Sequence, residues 1–198
     1  MDFREDFRNA GYDARLAWYN EPGEYSVADG CLIVRPDADT DFWQKTCYGF
    51  TPDSGHLLYM EIAGDFDLET HVHFSFANQY DQAGLLVRTD AEHWVKTSVE
   101  FEPAGPASLG VVMTDIYSNW SISGFYGDHI YLRVRRVGDV FGVYHALDGQ
   151  SWNLMRLGWL ALSDPLQAGL YACAPKEAGM EARFDYLQIS PPQSNEFH

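Results

Sequence analysis

The sequence predicts an all-β protein, a sandwich or barrel of antiparallel strands. Three observations carry this. Helical periodicity is scarce along the 198 residues. Short runs rich in Val, Ile, Phe, Tyr and Leu recur instead, and Gly, Pro, Asp and Asn punctuate them at regular spacing.

In order, the predicted strands are 30–34, 56–62, 68–76, 83–89, 94–101, 108–114, 130–137, 140–146, 153–158, 167–172 and 181–189. Gly138-Asp139 between two alternating runs reads as a tight hairpin. Residues 89–93 form a short polar connection between two strong strands, and Asp148-Gly149 marks another turn. Two short pieces, 12–18 and 41–45, are the only helical expectations. With no linker, repeat or low-complexity tract visible, residues 1–198 are expected to form one domain.

Successive side chains of a strand point to opposite faces. Leu68, Thr70, Val72, Phe74 and Phe76 therefore share one face and Glu69, His71, His73 and Ser75 the other. Val95, Thr97, Val99 and Phe101 oppose Trp94, Lys96, Ser98 and Glu100, and Ile130, Leu132 and Val134 oppose Tyr131, Arg133 and Arg135. Each of these strands has one apolar face. The second face mixes aromatic, cationic and carboxylate groups, which suits a ligand face, although antiparallel sheets also commonly wet one side.

Lys and Arg total 13 against 29 Asp and Glu, a net charge of −16. So acidic a chain lacks the clustered cations that a phosphate backbone or an anionic membrane requires. Nucleic acid and membrane are not expected partners. A hydrophobic fraction of 46% is enough for a folded core. The cysteines, Cys31, Cys47 and Cys173, are odd in number and none forms a CxxC pair, so neither a disulfide framework nor a zinc site is indicated. With no basic-then-apolar leader pattern and no long apolar run, a reducing, cytoplasmic setting is expected.

Long ordered motifs carry a family resemblance. Residues 40–50 read TDFWQKTCYGF, followed by DSGH at 53–56. Residues 80–105 read YDQAGLLVRTDAEHWVKTSVEFEPAG, followed by SLGVVMTDIYSNWS. Later come YLRVRRVGDVFGVYHALDGQSW, AGLYACAP and ARFDYLQI. These resemble the YesU-like family of domains of unknown function, which includes fungal regulation-of-enolase-like proteins and belongs to the concanavalin A-like lectin/glucanase superfamily. The resemblance implies a jelly-roll sandwich of two antiparallel sheets with one concave face. It implies no established activity. Cys47 stands where the first motif is expected to carry His.

Carbohydrate binding needs aromatic platforms and convergent polar groups. Trp43, Tyr48 and Trp120 are the candidate platforms, and Gln82, Lys96 and Glu100 the donors and acceptors, with His73 a further candidate. The expected function is non-catalytic binding of a sugar or oligosaccharide on the concave face. The alternatives are a glycoside hydrolase-like enzyme using Glu100 with Lys96 or His73, or a protein-interaction role. A glycosidase places two carboxyls about 5–9.5 Å apart. Glu100 and Glu102 share strand parity, but Pro103 ends that strand; Glu61, Glu69 and Glu100 could converge from separate strands.

No metal set emerges. His71 and His73 share a face, but FSFANQ follows them where a cupin needs a Glu. Asp37, Asp39 and Asp41 begin like a calcium loop, yet Phe42 and Tyr48 occupy the positions that need Gly and Glu. Arg133, Arg135 and Arg136 are read as neutralising neighbouring carboxylates. Nucleophile and phosphate-loop motifs are absent and no cofactor is expected. An unpaired edge strand could join two copies into a dimer.

Overall fold

The structure, a computed structural model, describes residues 1–197. In chain order the strands are β1 (Phe3–Glu5), β2 (Ala17–Tyr19), β3 (Glu24–Ala28), β4 (Cys31–Arg35) and β5 (His56–Ile62). Then come β6 (Phe66–Ser75), β7 (Gln82–Arg88), β8 (His93–Glu100), β9 (Ala107–Asp115) and β10 (Tyr117–Phe125). The last five are β11 (His129–Val137), β12 (Val140–Ala146), β13 (Asn153–Trp159), β14 (Leu166–Cys173) and β15 (Glu181–Ser190). No helix forms among the described residues, and none is long and apolar enough to cross a membrane.

Two antiparallel sheets make a jelly-roll sandwich. One has the order β13-β12-β11-β6-β15-β4-β3, with β1 paired to β15; the other runs β10-β9-β8-β7-β14-β5-β2. The alternation read from the sequence holds. Leu68, Val72, Ile130, Leu132 and Val134 face inward from the first sheet, and Leu58, Leu85, Val87, Val95, Val99 and Leu170 from the second. Two polar threonines also point in, each satisfied by a carbonyl: Thr70 Oγ1 donates to Tyr186 O (2.6 Å) and Thr97 Oγ1 to Gly110 O (3.0 Å).

The three expected turns are present: β11 and β12 meet across Gly138-Asp139, residues 89–92 join β7 to β8, and Asp148 accepts two backbone N–H bonds at its turn. Both helical expectations are corrected. The end of the first piece, Ala17 and Trp18, pairs with β5 as part of strand β2. In the second, Trp43 N–H donates to Pro52 O and Lys45 N–H to Phe50 O (both 3.1 Å), so the amides of 41–45 bond across a loop rather than along a helix. Strands β1, β2, β3 and β10 were not anticipated. The β9–β10 hairpin turns on Ile116, at φ 61°. A β-branched residue is unusual in that conformation, so no turn signal marks it.

Candidate functional site

The outer face of the seven-stranded sheet is not open to solvent throughout, because residues 36–55 lie across it. Phe42 anchors this loop, buried in a second apolar cluster with Leu57, Leu86, Trp94, Val112, Tyr171 and Cys173. The contact is close. A Cβ at Gly55 would stand 2.3 Å from the Phe42 ring and 2.5 Å from Cys173 Sγ, so only glycine fits. Polar pins hold the loop at both sides of the sheet. Thr40 and Ala174 exchange two hydrogen bonds, and Gln44 and Ser118 exchange two more. Asp53 accepts from the Tyr19 hydroxyl (2.6 Å) and from Arg88 (3.0 Å).

Between this loop and strands β7 to β10 lies a cavity of about 390 Å³. Trp43, Tyr48, Phe50 and Trp120 form its apolar side. Trp43 and Trp120 meet edge to face at 6.2 Å, and Tyr48 stacks on Phe50 at 5.4 Å. Trp43 spends its N–H locally on Thr46 O (2.9 Å). Tyr48 and Trp120 remain 62% and 43% exposed, so their rings are available to a ligand. Trp120 can lie over the sheet because Gly110 has no side chain: a Cβ there would stand 2.9 Å from the Trp120 indole nitrogen.

The polar side is one connected network. The buried Lys96 ammonium donates to Phe42 O (2.8 Å) and Gln82 Oε1 (2.9 Å), and lies 3.4 Å from Asp41 Oδ1. The Tyr171 hydroxyl donates to the same Gln82 oxygen (3.2 Å). An ammonium has no acceptor, so the Gln82 amide is oriented with its oxygen toward Lys96 and its NH₂ toward carboxylates. Gln82 Nε2 donates to Glu100 Oε2 (3.1 Å) and Asp41 Oδ1 (3.5 Å). Burial raises the Glu100 pKa to about 7; Lys96 opposes the rise, and Asp41 and Glu102 add to it. Near neutral pH this carboxyl can therefore donate as well as accept.

The cavity brings together Trp43, Tyr48, Gln82, Lys96, Glu100 and Trp120. It does not include His73, which lies on β6 in the opposite sheet. Nor do Glu61 and Glu69 converge on Glu100: Glu69 is bound to Arg133 on that opposite sheet (2.8 Å), and Glu61 is outside the cavity. β8 ends at Glu100, and Glu102 accepts from Gln79 (3.0 Å). Sequence reasoning missed Asp41, Asp39, Tyr80, Ser98 and Lys176 as lining residues. Asp41 sits inside the TDFW motif and Ser98 shares strand parity with Lys96 and Glu100, so two of these carried a signal. The aspartates read against a calcium template are dispersed: Asp37 accepts from Gly23 N–H, while Asp39 and Asp41 line the cavity.

Among the described residues, one group presents donors that could hold a metal. His71, His73 and Asp185 each offer one nitrogen or oxygen, and these atoms lie within 4.8 Å of one another. Burial lowers the His71 pKa, against the pull of Asp185 in the other direction.

Residues 18–192 match the profile described as "Protein of unknown function (DUF1349)". "Regulation of enolase protein 1" of Saccharomyces cerevisiae is 34% identical over 183 residues, 91% of this chain and 92% of that protein. A crystal structure of a functionally unknown protein from Saccharomyces cerevisiae superposes with a TM-score of 0.86 at 34% identity, over 91% of this chain and 98% of that one. A GH43 protein from Bacillus licheniformis, BlXynB carrying K247S, shares the fold at a TM-score of 0.78 and 13% identity, over 96% of this chain but 39% of that one.

Proposed function

We propose, for a chain that belongs to the DUF1349 family of proteins of unknown function, that the cavity under residues 36–55 binds a sugar without transforming it. One observation carries this reading: an aromatic wall with exposed Tyr48 and Trp120 rings faces a polar network of Gln82, Lys96, Asp41 and Glu100. Sugar rings offer an apolar face to the first and hydroxyls to the second. At about 390 Å³ the cavity lies toward the small end of ligand pockets and suits one or two sugar units. Three unpaired thiols support a reducing, cytoplasmic setting for this activity.

The test is a calorimetric and thermal-shift screen of neutral, acidic and plant-wall mono- and oligosaccharides. Binding is expected for at least one. For that ligand, Gln82→Ala and Trp120→Ala should each weaken affinity about tenfold, roughly one hydrogen bond or stacking contact, with the fold unchanged. Silence across the panel at millimolar ligand would overturn the reading.

A second reading is acid–base catalysis on the bound sugar. Glu100 and Asp41 flank the same Gln82 nitrogen at 3.1 and 3.5 Å, so the Glu100 carboxyl has a second carboxylate within working reach. Turnover of aryl glycosides that Glu100→Gln abolishes, with binding retained, would establish it. The absence of turnover on any sugar that binds would dismiss it.

A further inference from the structure

The outer face of the eight-stranded sheet carries a second constellation, separate from the cavity. We propose that His71, His73 and Asp185 form a binding site for a divalent transition-metal ion of the zinc type.

The placement follows from the strands. His71 and His73 are two apart on β6, so both imidazoles leave the same face. Asp185 comes from the neighbouring β15, where pairing with β6 shifts register: Phe184 opposes Val72 and Tyr186 opposes His71, leaving Asp185 as the extra residue of a bulge. A bulge of this kind re-aims one side chain. Here it turns the carboxylate over the histidine pair. Asp185 Oδ2 lies 2.6 Å from His71 Nδ1 and 3.4 Å from His73 Nε2.

Two imidazoles and one carboxylate suit zinc and its first-row neighbours, whereas calcium and magnesium prefer oxygen alone. Bonds of about 2.0–2.1 Å in a tetrahedral shell separate ligand atoms by roughly 3.3 Å. The His73–Asp185 spacing of 3.4 Å is close to that value, and the His71–Asp185 contact of 2.6 Å opens by about 0.7 Å as a metal replaces the shared proton. Three protein ligands leave a position for solvent, and His73 and Asp185 are exposed enough to admit it.

Groups behind the ligands hold them in place. The His71 ring stacks on Tyr131, centroids 3.8 Å apart and 3° from parallel, and its Nε2 meets His129 Nδ1 at 3.0 Å. The Cys31 thiol donates to the other oxygen of Asp185 (3.6 Å). Outer partners that fix ring orientation are a regular feature of histidine metal sites. No reading of local motifs finds this group, because its carboxylate arrives 112 residues after His73.

The experiment uses the full untagged chain, stripped with chelator and titrated with ZnCl₂ by calorimetry and with CoCl₂ by visible absorbance. One equivalent should bind at submillimolar metal, with the intense d–d bands of low-coordinate Co²⁺, and ZnCl₂ should raise the melting temperature. His73→Ala and Asp185→Asn alter partly exposed groups and should fold. Each should weaken binding by about tenfold or more, while Cys31→Ser keeps the stoichiometry. No binding, or binding unchanged in both ligand variants, would overturn the proposal. Gln82→Ala, which disturbs only the cavity, should leave metal binding intact.

Discussion

Lys96 and Arg135 occupy equivalent situations in two sheets and meet different fates. Each is a buried cation on the outer face of an inner strand. On the eight-stranded sheet the cross-strand register sets Arg135 against Asp67 and Arg133 against Glu69, and the pairs close on each other at 2.7–2.8 Å. On the seven-stranded sheet Lys96 stands opposite Leu86 and Val112, which offer no charge. Its ammonium reaches out of the sheet to Gln82, Asp41 and the Phe42 carbonyl, and a polar cavity forms around it. Opposed charges make a closed surface. A charge without a cross-strand partner recruits a loop and leaves a pocket.

The largest effect should come from the closed side. Asp67 is fully buried, so Arg135→Met strands its carboxylate and should cost about 3–5 kcal/mol in urea unfolding. Lys96→Met should cost clearly less, because Asp41 still borders the cavity and keeps some solvent. Equal losses would erase the distinction between the two faces.

The next effect is a pH dependence. The folded-state pKa of Glu100 is raised from 4.5 to about 7, so the native protein holds this proton more tightly than the unfolded chain. Its stabilising contribution is complete below pH 4.5 and is lost as pH rises through about 7, at most about 3 kcal/mol. Glu100→Gln should flatten that part of the stability profile; an unchanged slope would refute the assignment.

Gly55→Ala tests the loop's seat on the sheet. The added methyl collides with Phe42 and Cys173 and should destabilise by about 1–3 kcal/mol, with any sugar affinity falling alongside. The smallest effect is expected at the rim. Lys45 pairs with Glu92 between loop and sheet, both partly exposed, and Lys45→Ala should change stability by less than about 1 kcal/mol.

Much of the fold was legible because strand alternation and turn chemistry are local. Leu68–Phe74 and Val95–Val99 showed which side faces in, and Gly138-Asp139 showed where a hairpin closes. The short strand β2 and the edge strand β10 escaped because β2 has only three residues and β10 displays Ile122 and Trp120 outward with an Ile turn before it. Within the candidate site, Lys96 and Glu100 could be paired from parity alone. Asp41 could be paired with them only through the path of residues 36–55, which leave no periodic trace.

The sequence by itself determined the sheet faces, the excess of acid and the family, since these follow from side-chain period, composition and motif. Tertiary structure decided which groups meet. It separated His73 from the cavity and brought Asp185 to the His71–His73 pair, and it left Lys96 without a cross-strand carboxylate while giving one to Arg135. Those outcomes depend on strand order, register and a single-residue bulge. They are relations between distant segments, set by the burial of both apolar faces together.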